Sequence, residues 1–177
     1  MPKKEKAIGM LAGNKVIVKD ESQTNRLFNK GRFGKIINQT LELGLVEALY
    51  LYDKGDLILK SMAGRKLSEQ GFIRKASKVE PRFWTRYKVY QDIRKRGYIT
   101  KTALKYGADF RIYNRGTVPG EAHAKWVLYA VSEGESFDWR KFASMQRVAH
   151  SVRKKLLIGV VDEEGDVTYY ESRWVRP

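Results

Sequence analysis

The chain contains no cysteine, only two histidines and four prolines. The lack of cysteine excludes disulfides and thiolate metal sites, and two histidines far apart in the sequence do not suit a zinc cage. No run of about 18 apolar residues and no signal-like segment occurs. We therefore expect a soluble, cytoplasmic protein that needs no metal, no cofactor and no membrane.

Acidic residues are scarce relative to basic ones. The 177 residues include 20 Asp and Glu against 35 Lys and Arg, which gives a formal net charge of +15. An excess of this size favours a polyanionic partner, and nucleic acid is the first candidate. The 42% hydrophobic content is enough to form the cores of one large or two small domains.

The first half of the chain shows a mixed pattern of short strands and helices. Turn residues and hydrophobic periodicity divide it into five segments. In order, they are a hairpin of Ile8–Leu11 and Val16–Val18, a loop or irregular strand over Asn25–Asn38, a helix over Leu45–Tyr52, a strand over Leu57–Leu59 and a helix over Phe72–Val79.

A domain boundary is predicted near Pro81. Proline disfavours helix at the preceding Glu80, and a new helical pattern begins at Phe83 and ends before Gly97. We therefore predict two domains, residues 1–82 and 83–177. The basic run Arg94–Arg96 in the last turn of this helix suits either a solvated helix end or an RNA contact.

The second half alternates between apolar strands and one amphipathic helix. This helix begins at Asp138, with apolar residues at helical spacing from Phe142 to Val152. The predicted strands are 98–102, 108–113, 125–131, 156–161 and 167–171. The expected fold class is α/β (α+β), with a small amino-terminal α/β domain followed by a domain built on a mixed sheet flanked by helices.

Three side chains in the second half carry useful chemistry. Tyr113 ends a strand, His123 follows a loop with Pro119 and Gly120, and Lys154 directly precedes an apolar strand. Each alone has a plain structural explanation. Together, a base, an acid and a cation suit attack of a ribose 2′-hydroxyl on its neighbouring phosphodiester. A metal-dependent nuclease would instead need clustered carboxylates such as Asp109 with Glu121, a spacing that fits no two-metal pattern strongly.

Several long motifs resemble one known family, the archaeal tRNA-splicing endonucleases (tRNA-intron lyases). In the second half they are YGADFRIY at residues 106–113, then His123, then RVAHSVRKK at 147–155. In the first half they are LVEALYL at 45–51, and RGY at 96–98 lies just beyond. The resemblance spans nearly the whole chain and is weakest over residues 20–38 and 60–80.

The resemblance implies roles for the three reactive side chains. Tyr113 corresponds to the general base, His123 to the general acid and Lys154 to the lysine that stabilises the transition state. It also implies a nuclease-like second domain and metal-independent cleavage of precursor tRNA at bulge-helix-bulge motifs, giving 2′,3′-cyclic phosphate and 5′-hydroxyl ends. The alternative is a non-catalytic RNA-binding subunit, against which the presence of all three residues argues.

The resemblance further implies assembly and RNA contacts. Arg147 corresponds to an arginine that stacks on a bulged base, with a second arginine at Arg173 or Arg176. The expected assembly is a homotetramer formed as a dimer of dimers, or a heterotetramer with a related subunit. An acidic loop and the tail around Trp174 would form its contacts. The residues of that loop are Asp162, Glu163, Glu164 and Asp166.

Overall fold

The computed structural model describes residues 5–175, and the chain divides into two compact units, residues 1–87 and 88–177. The predicted boundary at 82/83 lies at the first residue of the helix Phe83–Lys95, and the division at 87/88 lies within that helix. Arg176 is outside the described residues. No helix within residues 5–175 is long and apolar enough to cross a membrane.

The first unit contains a five-stranded mixed sheet with the order β3-β4-β2-β1-β5. Its strands are β1 (Ala7–Ala12), β2 (Lys15–Val18), β3 (Lys35–Ile37), β4 (Thr40–Gly44) and β5 (Leu57–Ser61). β1 pairs in parallel with β5, and the other neighbours are antiparallel. The predicted hairpin of β1 and β2 is confirmed, with Gly13 at φ 61° in its turn.

Four helices begin in the first unit: α1 (Glu21–Asn25), α2 (Leu45–Asp53), α3 (Glu69–Val79) and α4 (Phe83–Lys95). The prediction of an irregular segment over 25–38 was partly wrong. A π-helical turn covers Arg26–Lys30, and β3 follows it. β4 was not predicted, although Leu41 and Leu43 alternate with more exposed neighbours as in a half-buried strand.

The second unit contains another five-stranded sheet with the order β10-β9-β8-β7-β6. Its strands are β6 (Ile99–Thr102), β7 (Phe110–Tyr113), β8 (Trp126–Ser132), β9 (Lys155–Val161) and β10 (Val167–Ser172). β8 and β9 are parallel, and the other pairs are antiparallel. The predicted mixed sheet, and with it the α+β fold class, is confirmed.

Helices cover both faces of this second sheet. α5 (Trp139–Ser151) begins at Asp138, whose carboxylate accepts a hydrogen bond of 2.7 Å from the Lys141 amide. Its Met145 and Ala149 pack in a core with Val127 and Leu156. On the opposite face, the Tyr90 ring of α4 lies 5.6 Å from that of Phe110. The sheet is therefore buried on both sides, and reactive side chains can be exposed at its edges.

Candidate active site at one edge of the second sheet

Strand direction brings three chain segments to one edge of the second sheet. β7 is antiparallel to β8, and β8 is parallel to β9. The end of β7 therefore lies beside the starts of β8 and β9. Backbone hydrogen bonds tie them there, since the Lys125 amide donates to the Ile112 carbonyl over 2.8 Å and the Lys155 amide to the Lys125 carbonyl over 3.1 Å. We call this end the site edge. It carries Tyr113, His123 and Lys154.

Tyr113 is the last residue of β7, and its side chain is mostly buried. Tyr113 is 5% exposed and packs with Ile99 and with Ala124, the residue after His123. The Arg111 guanidinium carbon lies 6.0 Å from the centre of the Tyr113 ring. Arg111 lies opposite Val127 on the neighbouring strand, and Val127 packs under α5. Tyr113 is two residues after Arg111 and therefore lies on the same face of the sheet, the face that α5 covers.

His123 is exposed at the end of the loop between β7 and β8. Two glycines of this loop, Gly116 at φ 72° and Gly120 at φ 109°, adopt backbone conformations that other residues rarely take. The amides of Glu121 and Ala122 both donate to the Val118 carbonyl over 3.1 Å. The loop is thus a hydrogen-bonded turn, and it presents the imidazole to solvent beside the end of β7.

The end of α5 fixes the position of Lys154. The Arg153 amide donates to the His150 carbonyl, and the Lys154 amide donates to the Ala149 carbonyl, each over 2.9 Å. These two bonds form a Schellman motif, in which Arg153 at φ 54° occupies the left-handed position that usually holds glycine. A side chain there costs on the order of 1 kcal/mol. The motif turns the chain so that Lys154 lies directly before β9.

Lys154 and Lys155 differ in their electrostatic partners. The Lys155 ammonium lies 2.9 Å from a carboxylate oxygen of Glu171, whereas Lys154 makes no ion pair with any residue in the described range. Glu171 also accepts a 2.7 Å bond from the Trp126 indole. The hydrogen bond from Trp126 and, to a smaller extent, that from Lys155 lower the pKa of Glu171 to about 2. The charge of Lys155 is therefore compensated, and that of Lys154 is available to a substrate.

Lys154 lines a basic cavity of about 790 Å³. The residues that line it are Ala124, Lys125, His150, Ser151, Arg153, Lys154 and Lys155.

Tyr106 is partly buried and packs against the core beneath α5. A hydrogen bond with Lys105 lowers the pKa of its phenol, and the charges of Arg111 and Lys154 act in the same direction. The electrostatic surroundings of the site edge thus favour anionic groups.

The two carboxylates considered for a metal site are not brought together. Asp109 is buried and accepts a 2.9 Å hydrogen bond from the Ala130 amide. It precedes β7, whereas Glu121 lies in the loop after β7, and four strand residues span about 13 Å. Within residues 5–175 no group of three His, Asp or Glu side chains is placed to hold a metal ion. Asp109 therefore ties β7 to β8 and is not paired with Glu121.

The other predicted site residues lie near this edge or on the tail. Arg147 is exposed on α5, one turn before the cavity-lining His150. His150 is exposed, and its ring meets that of Trp174 edge to face, with the ring centres 4.8 Å apart. Trp174 is itself 53% exposed. Arg173 donates to Glu171 over 3.1 Å.

The acidic turn between β9 and β10 is held by hydrogen bonds to carboxylate side chains. Asp162 accepts a 2.8 Å hydrogen bond from the Asp166 amide. The Glu163 amide donates to a carboxylate oxygen of Glu133 over 2.8 Å. Asp162 therefore holds the turn together, while the carboxylates of Glu163 and Glu164 are exposed.

Sequence analysis did not identify Glu171, Trp126 or Arg111 as parts of this region. Glu171 meets Trp126 and Lys155 because β10 pairs with β9 in a register that opposes Glu171 to Leu157. The register between β9 and β10 is a property of two separate segments of the chain. The sequence around Glu171 alone therefore does not show which residues of β9 lie beside it.

These features define a class of protein. It is a two-unit α+β protein whose second sheet presents a tyrosine, a histidine and an uncompensated lysine beside a basic cavity, which suits an anionic substrate. Residues 83–169 match the family described as tRNA intron endonuclease, catalytic C-terminal domain, and residues 7–73 match its N-terminal domain. The chain belongs to the tRNA intron endonuclease family.

Archaeal relatives match over nearly their whole length. A protein of Nanoarchaeum equitans named tRNA-splicing endonuclease is 42% identical over 176 residues, covering 96% of this chain and 99% of the relative. One of Methanothermobacter thermautotrophicus with the same name is 41% identical over 169 residues, covering 96% and 98%. A third, from Thermococcus onnurineus, is 38% identical over 166 residues, covering 94% and 95%.

Proposed function

We propose that this protein removes introns from precursor tRNA by cleaving bulge-helix-bulge motifs in the cytoplasm, without a metal ion. RNA carries its own nucleophile, the 2′-hydroxyl next to the cleaved phosphodiester. The protein then has three tasks: to remove the proton of that hydroxyl, to protonate the leaving 5′-oxygen and to stabilise the negative charge on the phosphoryl oxygens.

The three residues at the site edge divide these tasks. The phenolate oxygen of Tyr113 accepts the proton of the 2′-hydroxyl and becomes a neutral phenol, while the 2′-oxygen forms a bond to the adjacent phosphorus. The bond from phosphorus to the 5′-oxygen breaks as the His123 imidazolium donates a proton to that oxygen and becomes a neutral imidazole. The Lys154 ammonium stabilises the oxygens of the pentacoordinate phosphorus. The products are a 2′,3′-cyclic phosphate and a 5′-hydroxyl.

One observation carries this proposal. The strand topology of the second sheet places all three residues at a single edge, and Lys154 there has no carboxylate partner among the described residues while Lys155 beside it is paired. An uncompensated ammonium at the same sheet edge as a tyrosine and a histidine suits a reaction in which negative charge develops. The names of the relatives support precursor tRNA as the substrate.

The nature of the RNA ends tests this mechanism. Purified protein is incubated with intron-containing precursor tRNA in excess EDTA, and the product ends are analysed. We expect undiminished cleavage to 2′,3′-cyclic phosphate and 5′-hydroxyl ends. A 5′-phosphate product, or loss of activity in EDTA, would contradict the mechanism. RNA binding without any cleavage would favour the non-catalytic subunit.

We also propose that the acidic turn and the tail assemble the protein into a tetramer. Glu163 and Glu164 place exposed negative charge on a chain of net charge +15, and Trp174 and Val175 are exposed apolar residues that follow β10. An acidic turn in a basic pocket of a neighbour would fix the relative position of two subunits, and the tail would add an apolar contact. In such an assembly, Arg147 with Arg173 or Arg176 would contact the RNA.

Charge reversal at the turn tests the assembly. Glu163→Lys combined with Glu164→Lys is expected to yield folded dimers in place of tetramers, and the wild-type tetramer is expected to weaken as salt rises. Asp162 is left unchanged because it holds the turn. The control reverses Glu21 and Glu69, two exposed carboxylates of the first unit, and changes the net charge equally. Sedimentation that shows unchanged tetramers for the turn variant would contradict the proposal.

A further inference from the structure

We propose that a second surface at the site edge, on the face of the sheet opposite Lys154, holds the phosphates of the RNA strand that leads away from the cleaved bond. We call it the aromatic track. It consists of the rings of Tyr98 and Trp126 with the cations of Arg115 and Lys125. The inference rests on the proposed function, which supplies RNA as the ligand.

The track alternates cations and rings. The Arg115 guanidinium carbon lies 5.1 Å from the centre of the Tyr98 ring, and the Lys125 ammonium lies 4.1 Å from that of Trp126. The two rings meet edge to face, with their centres 5.8 Å apart. The Glu171 carboxylate accepts a 2.7 Å hydrogen bond from the indole N–H of Trp126, and this bond fixes the orientation of the indole ring. Both cations thus rest on aromatic groups that are themselves held in place.

The cations of the track are exposed and uncompensated. Neither Arg115 nor Lys125 makes an ion pair with a residue of the described part of the chain. In the nearby basic run, by contrast, Arg96 pairs with Asp92 over 2.7 Å. A ring orders a cation without neutralising it, so less side-chain entropy is lost when a phosphate binds. Ordered and unpaired cations suit a polyanion whose charges repeat along a chain.

The track is continuous with the proposed active site. Lys125 belongs to the track and also lines the cavity that contains Lys154. Trp126 precedes Val127, which packs under α5, so its ring lies on the opposite face of the sheet. Arg115 comes two residues after Tyr113, in the loop that crosses the edge. An RNA strand that leaves the cavity at Lys154 would therefore contact Lys125 first. It would then contact Arg115 on the opposite face of the sheet.

The salt dependence of RNA binding tests the track. The probe is a precursor tRNA with a 2′-deoxynucleotide at the attacked position, which has no nucleophile to cleave it, and its affinity is measured over a series of KCl concentrations. Each lost phosphate contact reduces the slope of log affinity against log salt by about 0.7 to 0.9. Replacing Arg115 and Lys125 together by Gln is therefore expected to reduce the slope by roughly 1.5.

A matched pair in the first unit controls for net charge. Arg74 and Lys75 lie on α3 and are exposed, and neither makes an ion pair within residues 5–175. Replacing both by Gln removes the same charge and is expected to leave the slope within about 0.3 of wild type. Equal reductions for the two pairs, or no reduction for Arg115 and Lys125, would overturn the proposal.

A third variant separates the rings from the charges. Tyr98→Leu keeps both cations but removes the ring under Arg115. It is expected to weaken binding by about threefold to tenfold, with the slope unchanged, because the guanidinium is less ordered before RNA binds. Circular dichroism checks its folding. An affinity equal to that of wild type in the folded variant would show that the rings do not prepare the cations, and would contradict that part of the proposal.

The outcome for the track is distinct from the outcome for catalysis. Cleavage is measured separately, with wild-type protein and unmodified RNA. If wild type cleaves and both double variants show the same slope, the track is refuted while the proposed function stands. If wild type binds with the expected slopes but never cleaves, the proposed function is refuted while the phosphate contacts stand.

Discussion

His123→Ala is expected to slow single-turnover cleavage of precursor tRNA by about 10²- to 10⁴-fold, the usual contribution of general acid catalysis. The affinity for RNA is expected to change little, because protonation of the leaving oxygen occurs in the transition state. The position of His123 supports this expectation. It is exposed at the site edge next to Ala124, which packs with Tyr113. The rate constant at saturating protein and the dissociation constant are measured on the same RNA.

A modified substrate distinguishes the role of His123 as an acid from a structural role. When sulfur replaces the 5′-oxygen, the leaving thiolate needs no proton, and His123→Ala is expected to cleave this RNA at a rate close to that of wild type. The matched variant is His150→Ala, which removes the other histidine, an exposed residue on α5. His150 lines the cavity but transfers no proton in the mechanism, so its rate loss is expected to stay below about tenfold. An equal defect of His123→Ala on both substrates would contradict the assignment.

Lys154→Ala is expected to reduce the rate of the chemical step by about 10²- to 10³-fold, the loss typical of removing one group that stabilises a transition-state charge. Lys155→Ala removes the same charge from the neighbouring position. Its expected loss is below about tenfold, because its ammonium is already engaged by Glu171, and exposed ion pairs of this kind contribute little. The ratio of the two rate constants measures the specific role of Lys154.

The paired design removes the effect of net charge on binding. Both lysine variants lower the positive charge by one, and their rate constants are measured at saturating protein, where a difference in RNA affinity has no effect. The two variants are then compared by the single-turnover rate constant alone. If Lys155→Ala were as slow as Lys154→Ala, the uncompensated charge would not be the property that matters. The assignment of Lys154 would then be wrong.

Much of the fold could be predicted from hydrophobic pattern alone. In the second unit, β8 and β9 follow long apolar runs and α5 follows a clear apolar stripe from Phe142 to Ala149, so their types were predicted correctly. In the first unit, β4 was missed because its five residues lie directly before a strong helical pattern. The π-helical turn over Arg26–Lys30 has no simple period and gave no signal.

The chemical groups of the site were evident in the sequence, but their arrangement was not. Tyr113, His123 and Lys154 were identified by residue type, local position and resemblance. Their common edge depends on strand order and direction, in particular on the parallel pairing of β8 with β9 across α5. The difference between Lys154 and Lys155 depends on the register of β10, which places Glu171 beside only one of them. Long-range pairings of this kind are not encoded by any local pattern.

Removal of the attacking 2′-hydroxyl from the substrate tests whether the protein cleaves RNA with the RNA's own nucleophile. Cleavage by the wild-type protein in EDTA is compared for two precursor tRNAs that differ only in the hydroxyl at the attacked position. We expect a 2′,3′-cyclic phosphate and a 5′-hydroxyl from the ribose substrate, and no cleavage at that position of the 2′-deoxy substrate. Cleavage of the 2′-deoxy RNA at the same bond would contradict it.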